Sequence, residues 1–164
     1  MKPILGLFAV LAIASLSACF TSKEALVGDD AVAPHAKITF IGQSDDSDPA
    51  EFTREGNAYI SRKEGEDTVW LHLKPIDGDF YVAQMSGPGD DGGTEYLYGY
   101  IRIDTAAKVA DTWKTLGGES DVRPGLSECD DVICIDDLDA YIAYAQEAIA
   151  AGEEPDISFD IVVE

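Results

Sequence analysis

The sequence predicts an α+β domain, a twisted antiparallel sheet of about five to six strands with two helices on one face. Alternating apolar and polar segments fill the first two thirds of the chain, a helical period then takes over, and one alternating segment closes it. An eight-stranded barrel built from the same strands ranks second.

The strand-like segments run over 37–42, 57–63, 68–74, 80–86 and 96–104, each marked by alternation or by β-branched and aromatic residues. Glu64-Gly65-Glu66-Asp67 and Asp77-Gly78 supply short turns that tolerate positive φ, so neighbouring segments read as hairpins. Residues 43–55 form an acidic loop on this reading, and Gly87-Pro88-Gly89-Asp90-Asp91-Gly92-Gly93 a longer excursion. The result is a meander. Beyond Asp104, Ala106, Val109, Ala110, Trp113 and Leu116 share one helical face, and Gly117-Gly118 can end that helix. A second helix is capped by Asp136 or Asp137, carries the stripe Leu138, Tyr141, Ile142, Ala145 and Ile149, and stops at Gly152 before Pro155. Ile157, Phe159, Ile161 and Val163 then alternate as a closing strand.

The first residues have a different character. Lys2 precedes an apolar stretch from Ile4 to Leu16, which ends in Leu16-Ser17-Ala18-Cys19. That layout is a signal peptide, too short for a membrane-spanning helix. The last four residues resemble the lipobox of bacterial lipoproteins, a class in which a lipid thioether forms on the cysteine and the chain is cut just before it. The resemblance covers only these first residues and implies cleavage between Ala18 and Cys19. An ordinary secretory signal cut after Ser17 is the rival. Acylation of Cys19 would anchor the protein to a membrane, since each buried methylene contributes about 0.8 kcal/mol. In enterobacterial lipoproteins an Asp after the cysteine favours inner-membrane retention; Phe20 stands here, which points to the outer membrane of the cell envelope. The expected organisation is a removed signal over 1–18, a lipidated Cys19 with a flexible tether over 19–34, and one acidic domain over 35–164. A tether of that length spans roughly 20 Å root-mean-square.

Charge narrows the partners. Lys2 is the only basic residue among the first 18, so the remaining side chains carry 10 positive and 32 negative charges, a net of −22. Such a field repels nucleic acid and anionic headgroups and attracts cationic proteins, polyamines and divalent metals. Solubility or growth in salty water accounts for the same excess without any partner. Cys129 and Cys134 lie in a compartment where disulfides persist, and they are expected to pair and to fix the bend entering the second helix. Their C-x4-C spacing fits neither redox exchange nor zinc.

Chemistry-bearing patterns are sparse. Trp70, His72, Tyr96, Tyr98, Tyr100 and Arg102 alternate with the aliphatic rows of their strands and form the candidate binding face, with Tyr81 or Gln84 as possible additions. Cross-strand aromatic pairs also stabilise sheets without a ligand. The acidic groups Asp45, Asp46, Asp48 and Glu51, Asp77 and Asp79, and Asp90 and Asp91 all lack a complete calcium pattern, so no metal and no cofactor is expected. His35 and His72 have no catalytic motif around them, and a non-catalytic binding module is the expectation. Its partner would be a cationic protein or a small ligand. An acidic inhibitor of a cationic lysozyme-like enzyme is the alternative, and a small hydrolase using His72 the third reading.

The membrane expectation is directly measurable. Intact-mass analysis should find a mature chain beginning at acylated Cys19, and Cys19→Ala should release the protein from membranes; an unmodified N-terminus after Ser17 would refute the lipid anchor.

Overall fold

The computed structural model describes residues 20–44, 47–89, 91–113, 125–129 and 132–164. In chain order the described elements are β1 (Phe20–Ser22), β2 (Lys37–Gly42), β3 (Ala50–Glu55), β4 (Ala58–Ser61), β5 (Val69–Asp77), β6 (Phe80–Pro88), β7 (Thr94–Asp104), β8 (Val109–Trp113), β9 (Leu126–Cys129), β10 (Val132–Ile135), α1 (Leu138–Ala150) and β11 (Ile157–Val163). Strands β2 to β8 follow one another around a ring that β11 completes between β8 and β2, every neighbour antiparallel, and the β6–β7 pairing closes it. The fold is therefore a closed eight-stranded barrel, not the expected α+β sheet with two helices.

The interior follows from alternation. Ile38 and Phe40, Phe52, Leu71 and Leu73, Ile101 and Ile103, and Phe159 and Ile161 point inward and pack as one cluster. Phe40 meets Phe52 and Phe159 edge-on, each at 5.9 Å between ring centres. Burying each such side chain contributes about 1.5–3 kcal/mol. Closure also removes the exposed edges that an open sheet of this length would present.

Two misread segments explain the change of class. Val109–Trp113, expected to be helical, is strand β8: Ala110 and Thr112 face the barrel interior while Asp111 and Trp113 are buried on its outer side. A strand covered on both faces loses its polar alternation, and a short apolar run then mimics a helical stripe. Ala106, the first residue of that predicted stripe, lies in the turn before β8, and its end, with Leu116 and Gly117-Gly118, lies outside the described residues. The acidic loop of 43–55 likewise contains β3, where only Ala50 and Phe52 face inward and charged or polar residues fill the solvent side. Pairing with β2 and β4 decides its conformation more than its own weak pattern does.

The second predicted helix stands as α1. Asp137 caps it by accepting from the backbone N–H groups of Asp139 and Ala140 at 3.0 and 3.1 Å. At its other end Glu153 N donates to Ala148 O and Gly152 N to Ile149 O, with Gly152 at φ +96°, a Schellman ending that requires the left-handed region. Cys129 and Cys134 do pair, with Cα atoms 5.8 Å apart. The bond ties the two strands of the β9–β10 hairpin together, rather than bending the chain into the helix.

Nor is 20–34 a free tether. Phe20–Ser22 is strand β1, antiparallel to β7 and parallel to β10, and Val27 and Ala31 are buried. Val32 N donates to Leu73 O at 2.8 Å, and His35 N to the Tyr59 hydroxyl at 3.0 Å. The segment thus crosses the outer wall at Gln84 of β6, pairs with the backbone of β5 at Leu73 and reaches the Tyr59 hydroxyl of β4. Strand β7 makes this possible: β8 pairs with its later half, and β1 takes over beyond it at 96–98.

Hairpin and helix meet at one tight point. Gly125 has φ +82° and accepts from the N–H groups of Asp136 and Asp137, and a Cβ there would stand 2.5 Å from Ala140 Cβ. Gly125→Ala should therefore cost about 2–4 kcal/mol in urea unfolding, combining overpacking with a disfavoured φ. An unchanged midpoint would show that the hairpin does not rest on the helix start.

Candidate functional site

The expected binding face is the outer wall of β5, β6 and β7. Register arranges it in rows across the strands: Trp70, Ser86 and Tyr96 in one, His72, Gln84 and Tyr98 in the next, Lys74, Val82 and Tyr100 in the third. Arg102 follows beside Phe80 and Asp111. Tyr81 points inward with Pro75 and Ile101, and so does not join the face.

The structure covers the centre of this wall. Tyr98 and Tyr100 are each only 2% exposed, and with Val82 and Trp113 they form a second apolar cluster beneath Phe20, Val27, Leu126, Ile135 and the α1 residues Tyr141 and Ala145. Phe20 meets Tyr141 edge-on at 5.0 Å, and Phe80 lies against both Tyr100 and Trp113. Trp113 Nε1 donates to Glu153 O at 3.0 Å, which pins the wall to the turn after the helix. The aromatic ladder is thus the floor of a second core.

Polar atoms within that core are matched to the covering chain. Gln84, 1% exposed, accepts at Oε1 from Leu26 N at 2.8 Å, Val27 N at 2.9 Å and the Tyr98 hydroxyl at 2.8 Å. Its Nε2 donates to Val27 O at 3.3 Å. Tyr98 also meets Ser22 Oγ at 2.8 Å. A buried amide bonded on both sides to one backbone segment acts as a clamp: without it the buried Val27 N–H loses its acceptor, while Leu26 N–H keeps the Tyr98 hydroxyl at 3.1 Å.

Only the margins remain accessible. Trp70 and His72 are half-buried and stacked, 6.4 Å apart at 28°. His72 Nδ1 has no hydrogen-bond partner among the described residues, and burial lowers its pKa from the ordinary 6.5, which favours the neutral imidazole. Arg102 pairs with buried Asp111, whose other oxygen accepts from Ser158 Oγ at 2.5 Å. That assembly ties β7, β8 and β11 together at the wall. Asp111 and Ser158 were not legible as partners, since β11 returns between β8 and β2 only in the folded ring.

Within the barrel, Ala83 and Gly99 pair across β6 and β7 where larger side chains would fill the bore. They help leave an apolar cavity of about 50 Å³ against Phe40, Leu71 and Phe159. That is far below the roughly 300–1,000 Å³ of sites for drug-sized ligands, and so apolar a space has no polar partner to hold water. Among the described residues no group of three or more His, Cys, Asp and Glu is placed to hold a metal; Asp45, Asp46 and Asp90 of the calcium reading lie outside them.

What stays open is charge. In an up-and-down barrel alternate connections share one end, and here the β2–β3, β4–β5 and β6–β7 connections carry Asp48, Glu64, Glu66, Asp67 and Asp91 there. Four of the described basic side chains, Lys37, Arg62, Lys74 and Arg102, are already paired with carboxylates. No family model, curated protein or solved structure matches the chain.

The clamp makes two measurable demands. Gln84→Leu should destabilise the protein by about 1–3 kcal/mol by stranding the buried Val27 N–H, Leu26 N–H keeping the Tyr98 hydroxyl at 3.1 Å, and should speed hydrogen exchange at Val27 before the barrel opens. Exchange at the wild-type rate would show that the segment is held elsewhere. Burial raises the pKa of Tyr98 and Tyr100 above the ordinary 10.0, so the folded state keeps protons the unfolded chain loses. Their contribution is complete below pH about 10 and declines as pH rises toward the folded pKa values, a decline that Tyr98→Phe should lessen in alkaline unfolding.

Proposed function

We propose that this protein is a membrane-anchored lipoprotein of the bacterial cell envelope whose acidic barrel is a non-catalytic binding module for a cationic protein. The lipobox-like Leu16-Ser17-Ala18-Cys19 supports the address, with the outer membrane favoured. The observation that carries the binding reading is the unneutralised carboxylate excess. With the aromatic wall occupied by the chain's own helix and leading segment, the acidic loops at one barrel end offer the larger accessible recognition surface.

The geometry adds a consequence for the anchor. Phe20, the residue after Cys19, is already in the sheet, so a lipid on Cys19 would join the barrel wall without a spacer. Such a barrel sits against the bilayer rather than about 20 Å from it. Its charge opposes that approach to anionic headgroups within a Debye length of about 8–10 Å, and the acyl chains must offset the repulsion. A basic partner caught there would be concentrated at the membrane.

A lysozyme-like basic enzyme is the partner to test first. The mature protein should bind it at low salt, and affinity should fall about tenfold or more between 50 and 200 mM NaCl. Replacing Glu64, Glu66 and Asp67 together by Lys should weaken binding further. Absence of binding at low salt would overturn the reading.

A further inference from the structure

Successive inward rows of β6 and β7 run along the bore, Met85 and Leu97 nearest the acidic connections, Ala83 and Gly99 next, Tyr81 and Ile101 beyond. Of these, only the middle row is small. An eight-stranded barrel has a bore just wide enough for side chains to fill or for one small ligand, so two undersized residues side by side leave a void. The resulting cavity of about 50 Å³ lies against Phe40, Leu71 and Phe159.

Its walls are both apolar and accessible. Ala83, Leu97 and Gly99 share the inward side of their strands yet are only half-buried, and Met85 and Phe159 keep 9% and 6% of their surface. A Cβ at Gly99 would meet one atom within 4 Å beyond its chain neighbours, the Trp113 carbonyl oxygen at 3.8 Å, so the space reaches the backbone. No charged side chain lines it. Of the two hydroxyl-bearing residues that do, Thr112 donates to Ile157 O at 3.1 Å, and Tyr98 turns its hydroxyl to Gln84 and Ser22 on the outer wall.

We infer that this cavity is a binding site for a compact, uncharged apolar molecule such as a short hydrocarbon or halocarbon. At roughly 10–15 Å³ for each water-sized sphere, the space admits about three to five non-hydrogen atoms. A cavity so lined gives water no partner, so an entering apolar ligand displaces no hydrogen-bonded solvent and gains dispersion contacts that the wall atoms otherwise lack. A polar molecule of the same size would leave its donor or acceptor unpaired. The acidic loops take no part in this recognition, and the inference is independent of any cationic partner.

Xenon, apolar and small enough for the space, is the probe. Equilibrating the mature protein under rising xenon pressure should produce saturable methyl chemical shifts at Leu71, Met85, Leu97 and Ile101, and none at Val162, which is exposed on β11. Cyclopropane should reproduce those shifts, and ethanol, of similar size, should not. Ala83→Leu, which carries a side chain into the space, should weaken xenon binding about tenfold or more. Gly99→Ala, the milder change because its methyl has room, should weaken binding severalfold and decides the matter if Ala83→Leu fails to fold. Shifts that rise linearly without saturating, saturable shifts confined to residues outside the bore, an equal response to ethanol, or unchanged binding by either folded variant would overturn the inference. Since no partner protein enters the measurement, its failure would leave the acidic-loop reading standing.

Discussion

Gln84 lies on the outer wall of a closed barrel, sealed from water, with three hydrogen bonds arriving at one oxygen. An amide in that position is tolerable only while the segment after β1 stays in place, and the segment in turn finds acceptors for Leu26 and Val27 in the amide. The same bonds hold Tyr98, whose ring belongs to the second core. Barrel, leading segment and helix are therefore parts of one structure, joined through strands β6 and β7 that have no solvent face at their centre.

Covering the wall relocates recognition. Rings that would have met a ligand on an open sheet instead meet Phe20, Tyr141 and the turn after α1. The surface left to the solvent is dominated by carboxylates, and the two ends of the barrel differ in kind. One collects the acidic connections; the other holds a small cavity beside Tyr81 and Asp79. The acidic end acts through a diffuse field that salt screens.

Strands with one polar face were legible residue by residue. Lys37–Gly42 agrees in both bounds, and the β5, β6 and β7 centres lie where alternation put them. The helix with its Asp137 cap and Gly152 stop was equally plain, because capping acts within a few residues of chain. Strand β8 was not, since burial on both faces erased its period, and neither was β3, whose short pattern needs neighbours on both sides. The register sets Trp70, His72, Tyr96, Tyr98, Tyr100 and Arg102 on one side of the strands. The burial of that face was illegible, because Phe20 and Val27 lie 78 and 71 residues before Tyr98 and α1 begins 40 after it.

By itself, then, the amino-acid order determined the local period of most strands, the limits of one helix, the pairing of two nearby cysteines and the large negative charge. These depend on neighbours in sequence or on composition. Only the tertiary structure decided that the sheet closes, that β11 enters between β8 and β2, and that the aromatic wall is core. Those outcomes depend on which distant apolar faces meet, and an alternating strand states that it has a face to bury without stating what will bury it.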